Sequence, residues 1–124
     1  MTKELPTEHV EAVALMKLVR MHEGRYPQLR LLFAVPNGGA RNKIVAGKLK
    51  AEGVKAGVPD YIFPASAPGY IGLAVELKRL DGYASREQKQ WVEWLRSAGW
   101  RVEVCRGAEA AWKVIREYVA SMQP

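Results

Sequence analysis

Three charged residues lie at two short apolar segments of the chain, where a charge is unfavourable. Asp60 follows Pro59 and precedes the segment YIF, whereas Glu76 and Lys78 lie two residues apart within LAVELK. Because residues i and i+2 of a β-strand point to the same face, Glu76 and Lys78 are expected to project together. Charges in a buried strand are stable only when they are paired or bound to a metal. The spacing therefore indicates that these side chains have a chemical role.

A hairpin between the two segments would bring Asp60 beside Glu76. The Ser, Ala, Pro and Gly residues at 66–69 form a short connection, which favours antiparallel pairing. Two neighbouring carboxylates repel each other, and the pKa of one rises unless a cation lies between them. Mg²⁺ accepts one or two carboxylates and completes its coordination with water and phosphate oxygens. Lys78 beside such an ion can hold the attacking water or neutralise charge on a phosphate.

Each of these short patterns also has a purely structural explanation. A Glu-x-Lys pair is often the solvated face of an antiparallel sheet, and GVPD (57–60) can be a plain turn into a strand. Their occurrence together, PD first and then ExK across a predicted hairpin, favours the catalytic interpretation.

The elements that position these side chains alternate between helices and strands. Thr7 and Asn42 can cap helices, and SREQ (85–88) has the S-x-x-Q form of a capping box. The predicted bounds are 8–23, 43–52, 86–99 and 108–122 for the helices and 30–35, 61–65, 70–79 and 100–105 for the strands. The order α-β-α-β-β-α-β-α predicts one α/β domain with a mixed sheet over residues 1–124.

Two predictions concern the tryptophans. Trp91, Trp94, Leu95 and Ala98 recur at i, i+3, i+4 and i+7, which predicts a core-facing stripe on the third helix. Trp112 is expected to be the most exposed of Trp91, Trp94 and Trp112, and it is a candidate for a dimer contact.

The composition favours a globular protein with a polyanionic partner. The 124 residues are 48% hydrophobic and 26% charged, and 19 Lys and Arg against 13 Asp and Glu give a net charge of +6. That excess suits DNA or RNA. No apolar run approaches the roughly 20 residues that span a bilayer, and no signal-peptide core follows the N-terminus, so we expect a cytoplasmic protein without membrane contact. The single cysteine, Cys105, excludes an internal disulfide.

Several longer segments together resemble a known family. PNGG, LKAEGVKAGVPD, LAVELK, SREQKQW and GWRVEV, spread from Glu8 to about Tyr118, are similar to the VRR-NUC (virus-type replication-repair nuclease) branch of the PD-(D/E)xK nuclease superfamily. The resemblance implies a restriction-endonuclease-like fold, a mixed four-stranded sheet flanked by helices. It also implies an endodeoxyribonuclease that depends on Mg²⁺ or Mn²⁺ and acts on branched DNA.

The resemblance also implies roles for residues of the two segments. Asp60 and Glu76 match the metal-binding acids of the family, and the backbone carbonyl of Leu77 is an expected further ligand. Lys78 matches the catalytic lysine. The phosphodiester products would be a 5′-phosphate and a 3′-hydroxyl.

Two further residues match functional positions of the family but have structural alternatives. Glu8 matches an early acid that acts on a metal or its water, yet a first-turn carboxylate is also favoured by the helix dipole. Glu11 lies where relatives often carry glutamine, which leaves open which glutamate is used. Gln88 matches a glutamine near the catalytic lysine, but it also completes the capping box with Ser85.

A basic and glycine-rich stretch precedes Asp60 and is a candidate for contact with the DNA backbone. Its glycines allow close approach and its lysines continue toward Gly57, although a tight turn followed by a solvated helix face would look the same. The candidate DNA-binding residues are Asn37, Gly38, Gly39, Arg41, Lys43, Lys48, Lys50 and Lys55.

The resemblance implies a four-way (Holliday) junction as the substrate and a homodimer as the assembly, because stand-alone relatives of this branch behave in that way. With recognition and chemistry in one domain, a two-fold dimer would present two active sites that match the symmetry of the junction. The alternatives are a flap, nick or duplex nuclease of the same superfamily, and a non-catalytic DNA-binding module. An intact set of Asp60, Glu76 and Lys78 favours an enzyme.

Overall fold

The computed structural model describes residues 4–36 and 42–122, and its elements follow the predicted order. The helices are α1 (Glu8–His22), α2 (Lys43–Ala51), α3 (Arg86–Ser97) and α4 (Ala108–Ser121). The strands are β1 (Phe33–Ala34), β2 (Tyr61–Phe63), β3 (Gly72–Lys78) and β4 (Trp100–Arg106). A 3-10 helix at Pro27–Leu31 lies between α1 and β1. The predicted caps at Thr7 and Asn42 are also confirmed.

One sheet carries the four strands in the spatial order β1-β2-β3-β4. Strand β2 is antiparallel to both β1 and β3, whereas β3 and β4 are parallel and connected through α3. The predicted hairpin and the mixed sheet are therefore confirmed. Since Tyr61 pairs with Val75, the next position along each strand sets Asp60 opposite Glu76.

The two faces of β3 are covered by different helices. Three of its residues pack into the larger core with residues of α1 and α4: Leu73, Val75 and Leu77. Ala74 lies on the other face, in a smaller cluster with Val92 of α3. Glu76 and Lys78 share the face of Ala74 because they have the same parity along the strand. Helix α3 is therefore the element that brings further side chains to Glu76.

The strand predicted at 30–35 is the main error in the secondary structure. Residues Pro27–Leu31 form a 3-10 helix with the proline in its first turn, and β1 contains only Phe33 and Ala34. Proline fixes φ at a helical value and so favours a helical start. β1 is also an edge strand rather than a buried one, and Phe33 is 50% exposed.

The predicted stripe on α3 faces the core only in part. Val92 is buried and Leu95 is half-buried against the smaller cluster, but Trp94 is 55% exposed and Ala98 is exposed. Trp91 and Trp94 instead pack edge to face, with ring centroids 5.3 Å apart. The indole Nε1–H of Trp91 donates to the carbonyl of Ala56 at 3.0 Å, which ties the loop before β2 to α3.

The expectation that Trp112 is the most exposed of the three tryptophans is wrong, since Trp94 is 55% exposed. The side chain of Trp112 is only 8% exposed, because α4 packs on α1 and the ring of His22 covers it at a centroid distance of 4.5 Å.

The helices that the structure describes, within residues 4–36 and 42–122, do not combine the length and the apolar character that crossing a bilayer requires.

Candidate active site

Asp60 is fixed between β1 and β3 by its backbone and its side chain. Its carbonyl accepts a hydrogen bond from Val35 N–H at 2.7 Å, and its Oδ2 accepts one from Leu77 N–H at 2.8 Å. Strand β2 ends its pairing with β3 at Tyr61, so the edge of β3 beyond that point is available to the aspartate side chain. The hairpin thus holds one carboxylate at the level of Glu76 and Leu77.

Glu76 is a buried carboxyl group with one oxygen satisfied and the other not. Only 2% of the residue is exposed. Its Oε1 accepts a hydrogen bond from Gln88 Nε2 at 2.8 Å and lies 3.6 Å from Lys78 Nζ. Its buried Oε2 has no hydrogen-bond partner among residues 4–36 and 42–122. A buried acceptor without a partner is unfavourable, so Oε2 is the expected position for a ligand.

The electrostatics of Glu76 follow from this burial. Desolvation, followed by the nearby carboxylate of Asp60, raises the pKa of Glu76 from 4.5 to about 8, although Lys78 acts in the opposite direction. Glu76 therefore carries a proton at neutral pH when no cation is bound. A divalent cation between the two carboxylates would reverse this shift.

Gln88 completes the predicted capping box and also contacts the buried Glu76, whereas its catalytic role stays a prediction. Its Oε1 accepts from Ser85 N–H at 2.7 Å, and its own backbone N–H donates to Ser85 Oγ at 3.2 Å, which completes the capping box. Its Nε2 donates to Glu76 Oε1. Because the Ser85 N–H requires an acceptor, the cap sets the amide orientation and directs the NH₂ group toward Glu76.

Lys78 is the cation nearest to the paired carboxylates. Its side chain is 12% exposed and lies at the C-terminal end of β3, where its carbonyl accepts from Gly107 N–H at 2.9 Å. The sheet holds the backbone on one side while the ammonium group contacts Glu76. A largely desolvated lysine next to an acid pair is suited to hold a water molecule or a phosphate oxygen.

The two glutamates of α1 have different positions, which bears on the choice between them. Glu8 is exposed and lines an open cleft of about 400 Å³ together with His9, Asp60 and Leu77. Glu11 is buried, and its Oε1 accepts from Ala108 N–H at 3.2 Å, at the start of α4. Glu11 is committed to the fold, so Glu8 remains the candidate for the active site.

The role of Glu11 was not predicted from the sequence. Gly107, the N-cap residue of α4, has φ +87° and no side chain that could cap the helix. A missing cap is a signal that another group supplies the acceptor. That group lies 97 residues earlier, and nothing local to α4 identifies it.

The residues at the end of the hairpin fit a hard divalent cation. Asp60 and Glu76 supply carboxylate oxygens, one of them without a protein partner. The N–H and C=O of one strand residue point to the same edge, so the Leu77 carbonyl faces the edge where its N–H meets Asp60. Oxygen ligands of this kind suit Mg²⁺ and Mn²⁺. Within the two described ranges, no group of three or more His, Cys, Asp or Glu residues is arranged so that it could hold a metal ion.

The predicted DNA-binding residues fall into two groups. Asn37, Gly38, Gly39 and Arg41 lie outside the residues that the structure describes. The others are exposed on α2 or on the loop that follows it: Lys43, Lys48, Lys50 and Lys55. Every residue of α2 is at least partly exposed, and Lys50 and Lys55 line a cavity of about 680 Å³. This helix therefore presents most of its surface to solvent or a partner.

The fold and the site together define a class of protein. A hairpin that sets an aspartate opposite a Glu-x-Lys strand, with a parallel strand beyond it and helices on both faces, is the PD-(D/E)xK restriction-endonuclease-like architecture. The VRR-NUC domain family matches residues 11–109. The chain belongs to this family, which gives it a nuclease-type, DNA-processing function.

A solved structure agrees with this assignment. A chain described as a VRR_NUC domain protein is 28% identical in sequence and superposes with a TM-score of 0.81. The match covers 94% of this chain and 91% of the other. No curated protein matches the sequence. The family match begins at residue 11, so Glu8 precedes it.

Proposed function

We propose that the chain is a Mg²⁺- or Mn²⁺-dependent endonuclease that hydrolyses phosphodiester bonds in branched DNA. The observation that carries the proposal is the unsatisfied Oε2 of the buried Glu76, opposite Asp60 and beside Lys78. A fold that only needed a filled core would be more stable with an apolar residue at this position. Asp60 and Glu76 are the residues that would hold a divalent cation here.

The protein residues hold this centre in a fixed geometry. Leu77 N–H donates to Oδ2 of Asp60 and so fixes the orientation of this carboxylate. Gln88 Nε2 holds Oε1 of Glu76, which leaves Oε2 directed to the ligand, and Gln88 is thus a positioning residue. When bound, the divalent cation supplies Lewis acidity toward the scissile phosphate and lowers the pKa of a coordinated water.

Lys78 and Glu8 act on the substrate side of the centre in this proposal. Lys78 orients the attacking water and stabilises the additional negative charge on the phosphate in the transition state. Glu8 lines the same cleft as Asp60 and orders the water that enters it. Cleavage leaves a 5′-phosphate and a 3′-hydroxyl, as the resemblance implies.

The basic surface around α2 supplies the contacts with DNA. Lys43, Lys48, Lys50 and Lys55 are exposed on α2 and on the loop that leads to Asp60, in a chain with a net charge of +6. Such lysines bind phosphates without reading bases, which suits recognition by shape.

A four-way junction cut by a homodimer is the substrate and assembly that we propose. Two copies related by a two-fold axis place two equivalent active sites on a substrate of the same symmetry. Paired cuts on opposing strands are the expected products.

A cleavage assay tests this proposal. An immobile four-way junction, a flap and a linear duplex of the same arm sequences are incubated with Mg²⁺ or Mn²⁺, with Asp60→Ala as the inactive control. We expect symmetric paired cuts on the junction and none with the variant. Junction binding without cutting in either metal would contradict the enzymatic proposal, and equal cutting of all three substrates would contradict the junction preference.

A further inference from the structure

An exposed aromatic residue lies in the short loop that leaves the active site. Residues 79–84 connect Lys78 at the end of β3 with Ser85, the cap of α3. Tyr83 in this loop is 76% exposed, and the guanidinium of Arg106 lies 4.4 Å from the centre of its ring. Arg106 covers one face of the ring, so the high exposure leaves the other face open to solvent.

The register of the sheet places this pair next to Lys78. Arg106 is the residue of β4 that pairs with Lys78 of β3 in the parallel ladder. Partners in a parallel ladder point to the same face, and neighbouring strands are about 4.8 Å apart. The Tyr83–Arg106 pair is therefore one strand away from the catalytic lysine, on the same face and at the same end of the sheet.

The loop holds the pair in a fixed position. Arg106 Nε donates to the carbonyl of Gly82 at 2.8 Å, and Gly82 N–H donates to the carbonyl of Arg79 at 3.0 Å. Gly107 N–H, next to Arg106, bonds to the carbonyl of Lys78 at 2.9 Å. A surface that is ordered before binding loses less entropy when it binds.

The charge of Arg106 is available to a ligand. The part of the chain that the structure describes contains four salt bridges with nitrogen–oxygen distances within 4 Å, and none of them contains Arg106. Asp81, the nearby acid of the loop, is paired with Arg79 at 3.1 Å. An aromatic face together with an unpaired guanidinium can bind a base and its phosphate.

We infer that Tyr83 and Arg106 form a nucleotide platform that positions the strand at the scissile phosphate. This inference rests on the nuclease function proposed above. The open face of Tyr83 stacks on a base, and Arg106 binds the adjoining phosphate. The ligand is an unpaired or splayed nucleotide, because a base within a duplex already has neighbours on both faces. The platform gives the active site a preference for branch points without reading sequence.

Fluorescence of a base analogue tests the platform without cleavage. A junction with 2-aminopurine next to the branch point is titrated with protein in EDTA, and steady-state cleavage is measured separately with Mn²⁺. The variants are Tyr83→Ala, Tyr83→Phe and Arg106→Gln. Tyr70→Ala is the matched control, since Tyr70 is 42% exposed but lies before the start of β3, away from Lys78.

We expect wild type, Tyr83→Phe and Tyr70→Ala to quench the analogue equally and Tyr83→Ala not to quench it. Tyr83→Ala should raise KM about tenfold with kcat nearly unchanged, the size expected for loss of one base–aromatic stack. Arg106→Gln should reduce the slope of log affinity against log salt by about one.

Three results would overturn the inference. One is equal quenching and equal KM for Tyr83→Ala and Tyr70→Ala while the wild type cuts DNA. Another is a change of Tyr83→Ala from dimer to monomer in sedimentation, which would assign the surface to a second copy of the chain. The third is a wild-type protein that neither binds nor cuts any DNA substrate, which would refute the proposed function itself.

Discussion

Two glutamates are buried in the described part of this molecule, and they differ in what surrounds them. Glu11 on α1 is 9% exposed and accepts the N–H of Ala108, where the positive end of the α4 dipole favours a negative charge. Glu76 on β3 is 2% exposed, is opposite Asp60 and has an oxygen without a partner. The first carboxylate completes a helix, whereas the second has one oxygen that no residue of the described ranges binds.

The comparison shows that burial alone does not identify an active site. Glu11 contributes to stability in the unliganded protein because its interaction partner is part of the fold. Glu76 lies opposite a second carboxylate, and burial together with this neighbour raises its pKa and makes its ionised form unfavourable. Substitution of Glu76 should therefore affect activity, whereas substitution of Glu11 should affect stability.

The largest effect is expected for the acids of the hairpin. Asp60→Asn and Glu76→Gln should each reduce cleavage by at least about 10³-fold, more than the loss of a single electrostatic donor. Thermal unfolding should show that both variants fold. Glu11→Gln is the matched control and should retain cleavage per folded molecule. Retained cleavage by Glu76→Gln would contradict the assignment of Glu76 to the active site and of Glu11 to the fold.

The next effect concerns stability. Glu11→Ala should lower the free energy of unfolding by about 2 to 3 kcal/mol, since it removes a charge-assisted hydrogen bond at a buried helix start. Urea denaturation measures the change. Glu8→Ala lies one turn away on an exposed surface and should change stability by less than about 1 kcal/mol, but it should lower activity. Loss of activity in Glu11→Ala together with loss of stability in Glu8→Ala would show that Glu11, not Glu8, serves the site.

A smaller effect separates the two functions of Gln88. Gln88→Ala should reduce metal affinity or activity about 10- to 100-fold, as expected for a group that orients a metal ligand. Ser85→Ala removes only the Ser85 Oγ acceptor and should cost about 1 kcal/mol of stability with little change in activity. Similar activities of the two variants would mean that the Gln88–Glu76 contact has no functional role.

The most gradual effect, which is spread over several pH units, is a dependence of stability on pH in the metal-free protein. The folded state retains the proton of Glu76 up to about pH 8, whereas the unfolded state releases it near 4.5. The folded state thus binds more protons between these values, and the free energy of unfolding should fall as pH rises, by at most about 1.4 kcal/mol per pH unit. Urea unfolding in EDTA from pH 5 to 8.5 measures the slope. An unchanged slope in Glu76→Gln would contradict the assignment.

Local sequence patterns were sufficient to predict the hairpin and the residues that it brings together. The alternation around Glu76 and Lys78 fixes their common face, and the short connection fixes antiparallel pairing with the segment after Asp60. The capping box of Ser85 and Gln88 is also a local feature. These predictions succeeded because each depends on residues close together in the chain.

Apart from the strand predicted at 30–35, where Pro27 begins a 3-10 helix, the errors arose where tertiary packing determines the outcome. Helical spacing placed Trp94 in a core-facing stripe, but the smaller face of the sheet accommodates only Val92 and part of Leu95. Trp112 is buried because α1 covers α4, which the pattern within α4 does not reveal. The contact between Glu11 and Ala108 spans 97 residues and could not be predicted from either segment alone.

Calorimetric titration of the metal-free protein with Mn²⁺ at pH 7 tests the central claim most directly. Wild type, Glu76→Gln and Glu11→Gln are compared in two buffers of different ionisation enthalpy, which reports the protons released. We expect wild type and Glu11→Gln to bind the metal and to release close to one proton, and Glu76→Gln to lose this binding. Binding that is unchanged by Glu76→Gln, or lost equally in Glu11→Gln, would contradict the assignment of the hairpin carboxylates as the metal centre.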